Sequence, residues 1–138
     1  MTIANPDLDL ATAIATRVGT LTLGTNIFAG PVRPSPDEAV FVLASGGAGP
    51  IPYRETDTGG GPDQLRRHAV QVFVRSANED YAGGAALSRV VRNALDCREP
   101  TGYVDVRARQ DPIYLEQDDE GRHRWSLNFS VTVEETAA

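Results

Sequence analysis

The chain has 138 residues, a formal net charge of −6, 41% hydrophobic residues and 23% charged residues. This length favours one domain, spanning residues 1–138, with a single hydrophobic core. The acidity argues against a surface that neutralises nucleic-acid phosphates, so we predict no sequence-specific nucleic-acid binding. With Cys97 as the only cysteine, an intramolecular disulfide and a four-thiolate zinc site are excluded.

The beginning of the chain predicts a helix and no membrane contact. Residues 1–7 lack the basic start and apolar run of a secretion signal, and no apolar window is long enough to span a membrane. Pro6 and Asp7 suit the start of a helix over residues 7–18. Its apolar residues recur at three- and four-residue spacing and form one stripe: Leu8, Ala11, Ile14, Ala15 and Val18. Packing on the chain's own sheet is favoured over binding to a partner.

Two strands are predicted next. A short one over residues 26–29 is bounded by Gly24 and by Gly30 with Pro31. The six residues 39–44 are almost continuously apolar, which is typical of a central strand covered on both faces. One cover should be a helix, and the other a second helix or a neighbouring subunit.

Residues 46–63 are rich in glycine and proline and predict a flexible loop. A phosphate-binding role fails because the glycines are not followed by a Gly-Lys-Ser/Thr ending or by a helix signal. An arm that becomes ordered against a partner is favoured, and the tip of a β-hairpin is the alternative.

In the second half of the chain, patterns typical of strands flank one pattern typical of a helix. Residues 64–75 predict a strand with Val70, Val72 and Val74 on one face, and residues 78–95 predict a helix capped by Asn78. The strand over residues 103–109 should point Val104 and Val106 inward. Residues 113–116 and the final strand, residues 125–134, predict an antiparallel hairpin around a polar turn.

Apolar and polar residues alternate at every position of the final strand. Its apolar face therefore carries Trp125, Leu127, Phe129, Val131 and Val133. The expected fold is therefore α+β: a mainly antiparallel, mixed sheet of about five to six strands with two helices packed on one face.

No catalytic constellation is found in the sequence, and no enzyme activity, metal or cofactor is predicted. The acidic run Asp118, Asp119 and Glu120 lacks the spacing of a calcium loop and lies at a convex turn, where acid–base catalysis is disfavoured. His68 and His123 have no convincing third ligand near them in sequence. Arginines at strand ends and on outward strand positions usually form a solvated surface. Together with the acidic residues at element ends, they would also suit charge pairing between subunits.

Several blocks of the sequence together resemble the small minor capsid family of tailed bacteriophages, whose members are similar to tail terminator proteins. The blocks are residues 23–31 (LGTNIFAGP), 71–75 (QVFVR) with Tyr81, 112–115 (PIYL), 119–122 (DEGR) and 128–131 (NFSV). The resemblance implies a virion structural protein, assembled in the host cytoplasm, that resides at the head–tail junction. It implies a ring, expected to be a hexamer, that caps the tail tube protein and meets the head connector.

Given this resemblance, several charged and glycine-rich positions are candidate assembly contacts. The candidates are Arg54, Gly59, Gly60, Gly61, Arg107, Arg109, Asp118, Asp119 and Arg122. Another head–tail joining protein, such as a head-completion or stopper protein, is the alternative in the same class. A small-molecule-binding domain unrelated to phages is the alternative in a different class.

Overall fold

The computed structural model describes residues 5–54, 63–98, 100 and 102–136, with side chains left undescribed at 47–54, 63, 64, 135 and 136. Two helices and six strands occupy these residues. In chain order they are α1 (Pro6–Arg17), β1 (Ile27–Ala29), β2 (Ala39–Arg54), β3 (Asp63–Asn78), α2 (Tyr81–Leu95), β4 (Tyr103–Ala108), β5 (Ile113–Gln117) and β6 (Arg122–Thr136). No helix in this part of the chain is long and apolar enough to cross a membrane.

All six strands belong to one sheet with the order β1-β2-β3-β6-β4. β1 runs parallel to β2, and the other pairings are antiparallel. β4 and β5 both pair with the edge of β6 that faces away from β3, one after the other along its length. The predicted α+β fold with a mixed, mainly antiparallel sheet is confirmed.

The main core lies between the helices and one face of the sheet. The five apolar residues predicted on the inner face of β6 are all buried, as are the three valines of β3. Leu10 and Ile14 of α1 and Val91 and Leu95 of α2 pack against them and are fully buried. The alternation of β6 therefore predicted both the strand and its helical cover.

The second face of β2 has a cover that the sequence did not predict. Phe41 stacks on Phe28 of β1, with ring centroids 5.6 Å apart, in a small separate cluster. The guanidinium of Arg75 lies 5.1 Å from the Phe41 ring centre, and that of Arg33 lies 4.4 Å from Phe28. The connection between β1 and β2 thus covers this face, instead of a second helix or a neighbouring subunit.

Strands extend into the region predicted to be a loop. β2 continues to Arg54 and β3 begins at Asp63, so much of residues 46–63 forms the two sides of a long hairpin. The register shifts near residues 44–47, 48–51 and 52–54, which is how bulges accommodate glycine and proline within a strand. Gly59, Gly60 and Gly61 lie outside the described residues.

The helix α2 begins later than predicted. Asn78 is still part of β3, and Asp80 is the N-cap, since its Oδ1 accepts a hydrogen bond of 3.0 Å from the Gly83 amide. Val91 and Leu95 of this helix are buried, whereas the neighbouring Val90 is 47% exposed. Gly84 is buried where a β-carbon would lie 2.3 Å from the ring of Trp125, so α2 and β6 approach each other closely there.

The prediction that Val104 of β4 points inward is wrong, because the strand contains a bulge. Tyr103 pairs with Val133 but Asp105 pairs with Thr132, so one extra residue lies between them. Val104 is that residue and is 48% exposed, whereas Tyr103 and Val106 face the core. The simple alternation of the sequence failed at this strand because a bulge resets the side-chain period.

Candidate assembly surfaces

Arg122 and Asp118 form a buried pair at the start of β6. Arg122 Nε donates to Asp118 Oδ2 at 2.8 Å, and the two side chains are 8% and 17% exposed. Arg122 Nη1 also donates to the Pro34 carbonyl oxygen at 2.6 Å and lies 3.3 Å from Asp37. Nη2 lies 3.3 Å from a carboxylate oxygen of Glu120. Both residues are thus engaged within the subunit.

The charges of this pair shift both pKa values. Burial by itself raises the pKa of Asp118, but hydrogen bonds from the Arg122 backbone and side chain outweigh it and leave the pKa lowered. Burial by itself lowers the pKa of Arg122, but the hydrogen bond and the charge of Asp118 leave it raised. The ionised form of each group is therefore favoured by the fold.

Arg75 completes the attachment of the β1–β2 connection. It is 3% exposed and donates to the carbonyl oxygens of Arg33, Pro36 and Asp37 at 2.6, 2.5 and 2.9 Å. Its pKa is lowered, mainly by burial and then by repulsion from Arg122. Two buried guanidiniums thus bind the backbone of this irregular segment.

The β5–β6 turn is fixed against the corner between β3 and α2. The Glu79 amide donates to the Gly121 carbonyl at 2.8 Å, and Gln117 Nε2 donates to Glu79 Oε1 at 2.9 Å. Asn78 Nδ2 donates to the carbonyl of Glu120. Gly121 has a φ of +79°, a conformation that favours glycine. This leaves Asp119 exposed at the tip of a rigid turn.

The other candidates lie elsewhere. Arg107, with a side chain 63% exposed, pairs with Asp105 at 2.9 Å, and that hydrogen bond raises its pKa. Arg109 is exposed just beyond β4. Ala108, between them, pairs with Phe129, seven residues along β6 from Arg122, or about 23 Å at the rise of a strand. The exposed arginines and the acidic turn thus form two separate surfaces.

Arg54 lies at the far end of β2, paired with Asp63 across the hairpin. Its backbone position places it on the hairpin formed by β2 and β3, well away from the Asp118 turn. The two histidines are also far apart. His68 pairs with Val131 and His123 with Gln117, eight residues apart along β6, or about 26 Å. They cannot share a metal ion at that separation.

A feature that sequence reasoning missed is a groove between α2 and β5. It has a volume of about 370 Å³ and is lined by residues that include Tyr81, Tyr114, Trp125, Arg89 and Arg92. The signal available in the sequence was the apolar run of residues 113–115. Nothing in the sequence showed that this run would lie exposed beside α2.

Comparison with known proteins decides the family. A family model described as bacteriophage tail terminator protein matches residues 16–135, which is most of the chain. The chain belongs to the bacteriophage tail terminator family. The resemblance predicted from the sequence is confirmed, and because this family is structural, so is the prediction that the chain is not an enzyme.

A solved structure supports the fold of this terminator family member. The structure is a chain from the virion of a native gene transfer agent particle, with a TM-score of 0.56. The two chains are 18% identical, and the match covers 91% of this chain and 95% of the other. No curated protein sequence matches the chain. The family assignment makes this chain a structural component of a phage-like virion.

Proposed function

We propose that this terminator family member forms a ring that closes the end of the tail tube and meets the head connector. The family match over residues 16–135 carries this proposal. A ring requires that each subunit present two different, complementary surfaces to its neighbours. The separation of the exposed arginines near β4 from the acidic β5–β6 turn is compatible with that requirement.

A terminator needs one face that binds the end of the tail tube and a second face to which no further ring of tube subunits can bind. A protein gains such selectivity by favourable contacts with one partner and unfavourable contacts with the other. The β5–β6 turn is suited to a contact of fixed shape because it is held by hydrogen bonds to Glu79 and Asn78. Of the three candidate residues there, Asp119 is exposed and would make the contact, whereas Asp118 and Arg122 would act by holding the turn in place.

The remaining candidate contacts stay proposals of the same kind. Arg107 and Arg109 would pair with acidic groups of a neighbouring subunit, where complementary charge fixes register more than affinity. The hairpin of β2 and β3, with Arg54 and the glycines 59–61, would contact the tube or a neighbour. A hexamer is the ring size we propose, since the family resemblance implies it.

Binding to tube ends tests the function directly. Purified chain is mixed with purified tail tubes, and the amount that sediments with the tubes is measured before and after the tubes are sheared. A terminator should bind in proportion to the number of ends, so shearing should raise the bound amount while the tube mass stays constant. Binding in proportion to tube mass, or none at all, would contradict the proposal and favour a stopper or completion protein.

A further inference from the structure

Exposed arginines lie along β4, at the edge of the sheet. Arg107 is in the strand, Arg109 follows it, and Arg98 forms a bridge to Val106 from the α2–β4 connection. Arg107 pairs with Asp105, but no ion pair joins Arg98 or Arg109 to an acidic residue in the described part of the chain. This β4 arginine surface therefore keeps two guanidiniums whose donors are available to carboxylates of another molecule.

The backbone of β4 is less available than these side chains. The Cys97 amide donates to the Val106 carbonyl oxygen at 2.9 Å, and the Ala108 amide donates to Asp96 Oδ1 at 2.8 Å. The α2–β4 connection thus satisfies outward backbone groups that a further strand would need. A partner at this edge is recognised by the arginine side chains, so charge decides which surface can bind there.

A strongly acidic corner lies at the other end of β6. It is formed by residues 33–38, 75–80 and 116–124, which carry eight carboxylates and four arginines, a net charge of −4. The whole chain has a net charge of −6, so most of its excess negative charge lies there. Arg75 and Arg122 hold the three segments together through hydrogen bonds to the β1–β2 connection and the β5–β6 turn, so the corner is one rigid surface.

Two exposed carboxylates of this corner are placed to make a contact. Asp119 follows Asp118 and Glu38 follows Asp37, and both Asp118 and Asp37 contact the Arg122 guanidinium. Asp119 and Glu38 are themselves exposed and form no ion pair among the described residues. They flank one buried guanidinium, so two unpaired carboxylates lie close together on the surface.

The two surfaces cannot meet within one chain. Ala108 pairs with Phe129, seven residues along β6 from Arg122, which is about 23 Å at the rise of a strand. A two-fold contact through either surface alone would place like charges together. A second copy that binds head to tail instead brings arginines against carboxylates, and each copy uses both of its surfaces in this way.

We propose that the β4 arginine surface of one copy binds the acidic corner of the next, with Arg98 and Arg109 facing Asp119 and Glu38. The occupant is a second copy because this one chain carries both charged surfaces, each held in place by its own hydrogen bonds before contact. The inference rests on the proposed function and deepens it by naming the surfaces through which the ring closes. A different particle protein at either surface is the competing occupant.

Cross-linking through Cys97 tests the proposal. This cysteine is the only one in the chain, is exposed, and its Sγ lies 3.4 Å from Arg107 Nη1, on the β4 arginine surface. A second thiol is introduced at the acidic corner by Asp119→Cys, or by Ser35→Cys, which leaves every carboxylate in place. Tail tubes are mixed with each variant, and a short bis-maleimide then links thiols that lie close together.

We expect a ladder of dimers, trimers and larger species that ends at the closed ring, because each copy offers one thiol on each surface. A link within one copy is excluded by distance. Cys97 bonds to Val106, which pairs with Val131, nine residues along β6 from Arg122, or about 30 Å. In either variant, Arg109→Glu should lower the yield of linked species about tenfold, because it places like charges together.

Matched controls separate this contact from chance collisions. Thr25→Cys adds an exposed thiol on a turn before β1, outside the acidic corner, and should give no ladder. The wild type, with Cys97 alone, should give none either. Arg17→Glu changes an exposed arginine of α1 outside the β4 arginine surface and should leave the yield from Ser35→Cys unchanged.

Sedimentation of each variant with tube ends is measured in parallel, so that the two proposals fail separately. Chain that binds tube ends but gives only monomers or dimers from both variants, or links to a tube protein instead of a second copy, would overturn this inference alone. So would a ladder from Thr25→Cys equal to that from Ser35→Cys. Chain that binds no tube ends would overturn the proposed function, and a ladder in the free chain would then still support the contact between copies. Absence of both the binding and the ladder would overturn both proposals.

Discussion

Two buried arginines hold the connection between β1 and β2 against the sheet. Arg75 satisfies three carbonyl oxygens of that connection, and Arg122 a fourth together with Asp118. A buried guanidinium is costly unless its donors are satisfied, and here the irregular backbone provides the acceptors. The same contacts cover Phe41, so the hydrogen bonds of the Arg75 guanidinium and the burial of the Phe41 ring depend on each other.

Replacing Asp118 by asparagine should reduce the free energy of unfolding by about 1–3 kcal/mol at neutral pH, because it removes the nearest and least exposed of the three carboxylates that pair with the buried Arg122. The pKa of Asp118 is lowered in the fold, so its contribution is present above its ordinary pKa and is lost as the pH falls through the folded value. The difference between wild type and variant should therefore shrink below about pH 4. Urea unfolding at several pH values measures it.

Asp119 provides the control for this prediction. It is adjacent in sequence but exposed, so Asp119→Asn should change the free energy of unfolding by no more than about 0.5 kcal/mol at any pH. Equal effects of the two substitutions, or a pH-independent effect of Asp118→Asn, would show that the buried pair does not stabilise the fold.

Gly84 is required by the close contact between α2 and Trp125. A β-carbon there would lie 2.3 Å from the indole ring, so Gly84→Ala should lower stability by about 1–3 kcal/mol despite the higher helix propensity of alanine. At Gly19 no atom lies within 4 Å of the same added carbon, so Gly19→Ala should have a far smaller effect. Thermal unfolding of both variants compares them, and similar shifts in Tm would contradict the packing argument.

At the scale of elements, the helices begin in two different ways. The N-cap of α2, Asp80, accepts a hydrogen bond from the Gly83 amide, whereas the N-cap of α1, Asn5, makes no side-chain capping bond. Asp80→Ala should therefore cost about 1 kcal/mol of stability, and Asn5→Ala clearly less. Chemical denaturation of the two variants measures the difference. The reverse order would mean that the capping bond does not stabilise α2.

Strands with clean alternation were predictable, and strands with bulges were not. In β6, ten alternating residues predicted both faces, because the side-chain period of two is unbroken there. In β4 one inserted residue turned Val104 outward, and in β2 several register shifts carried glycines and prolines within a strand. Periodicity cannot reveal a bulge, because the extra residue is identified only by its pairing with the neighbouring strand.

The candidate surfaces were predictable only in part for the same reason. The cluster of Asp118 to Arg122 was evident as a charged turn, but its inward pairing depends on Asp37 and Pro34, more than eighty residues earlier. The groove joins Tyr81 to Tyr114, which are brought together by the packing of α2 beside β5. Contacts between residues so distant in the chain leave no local pattern.

At the scale of the whole molecule, the structure is a single sheet with helices on one face and two distinct charged surfaces. The family match assigns this architecture to a tail terminator, a structural part of a phage-like virion. In the ring that we propose, each subunit would contact two neighbours through different surfaces. Ile113, Tyr114 and Leu115 of β5 form a run of exposed apolar residues, a feature that often marks a contact with a partner.

Electron microscopy of purified tail tubes mixed with the purified chain tests whether the chain closes the tube end as a ring. We expect ring-shaped density at one end of each tube, absent from tubes without the chain, with subunits related by a rotation that closes. Density along the sides of the tubes, or tube ends that remain bare with the chain in excess, would contradict it.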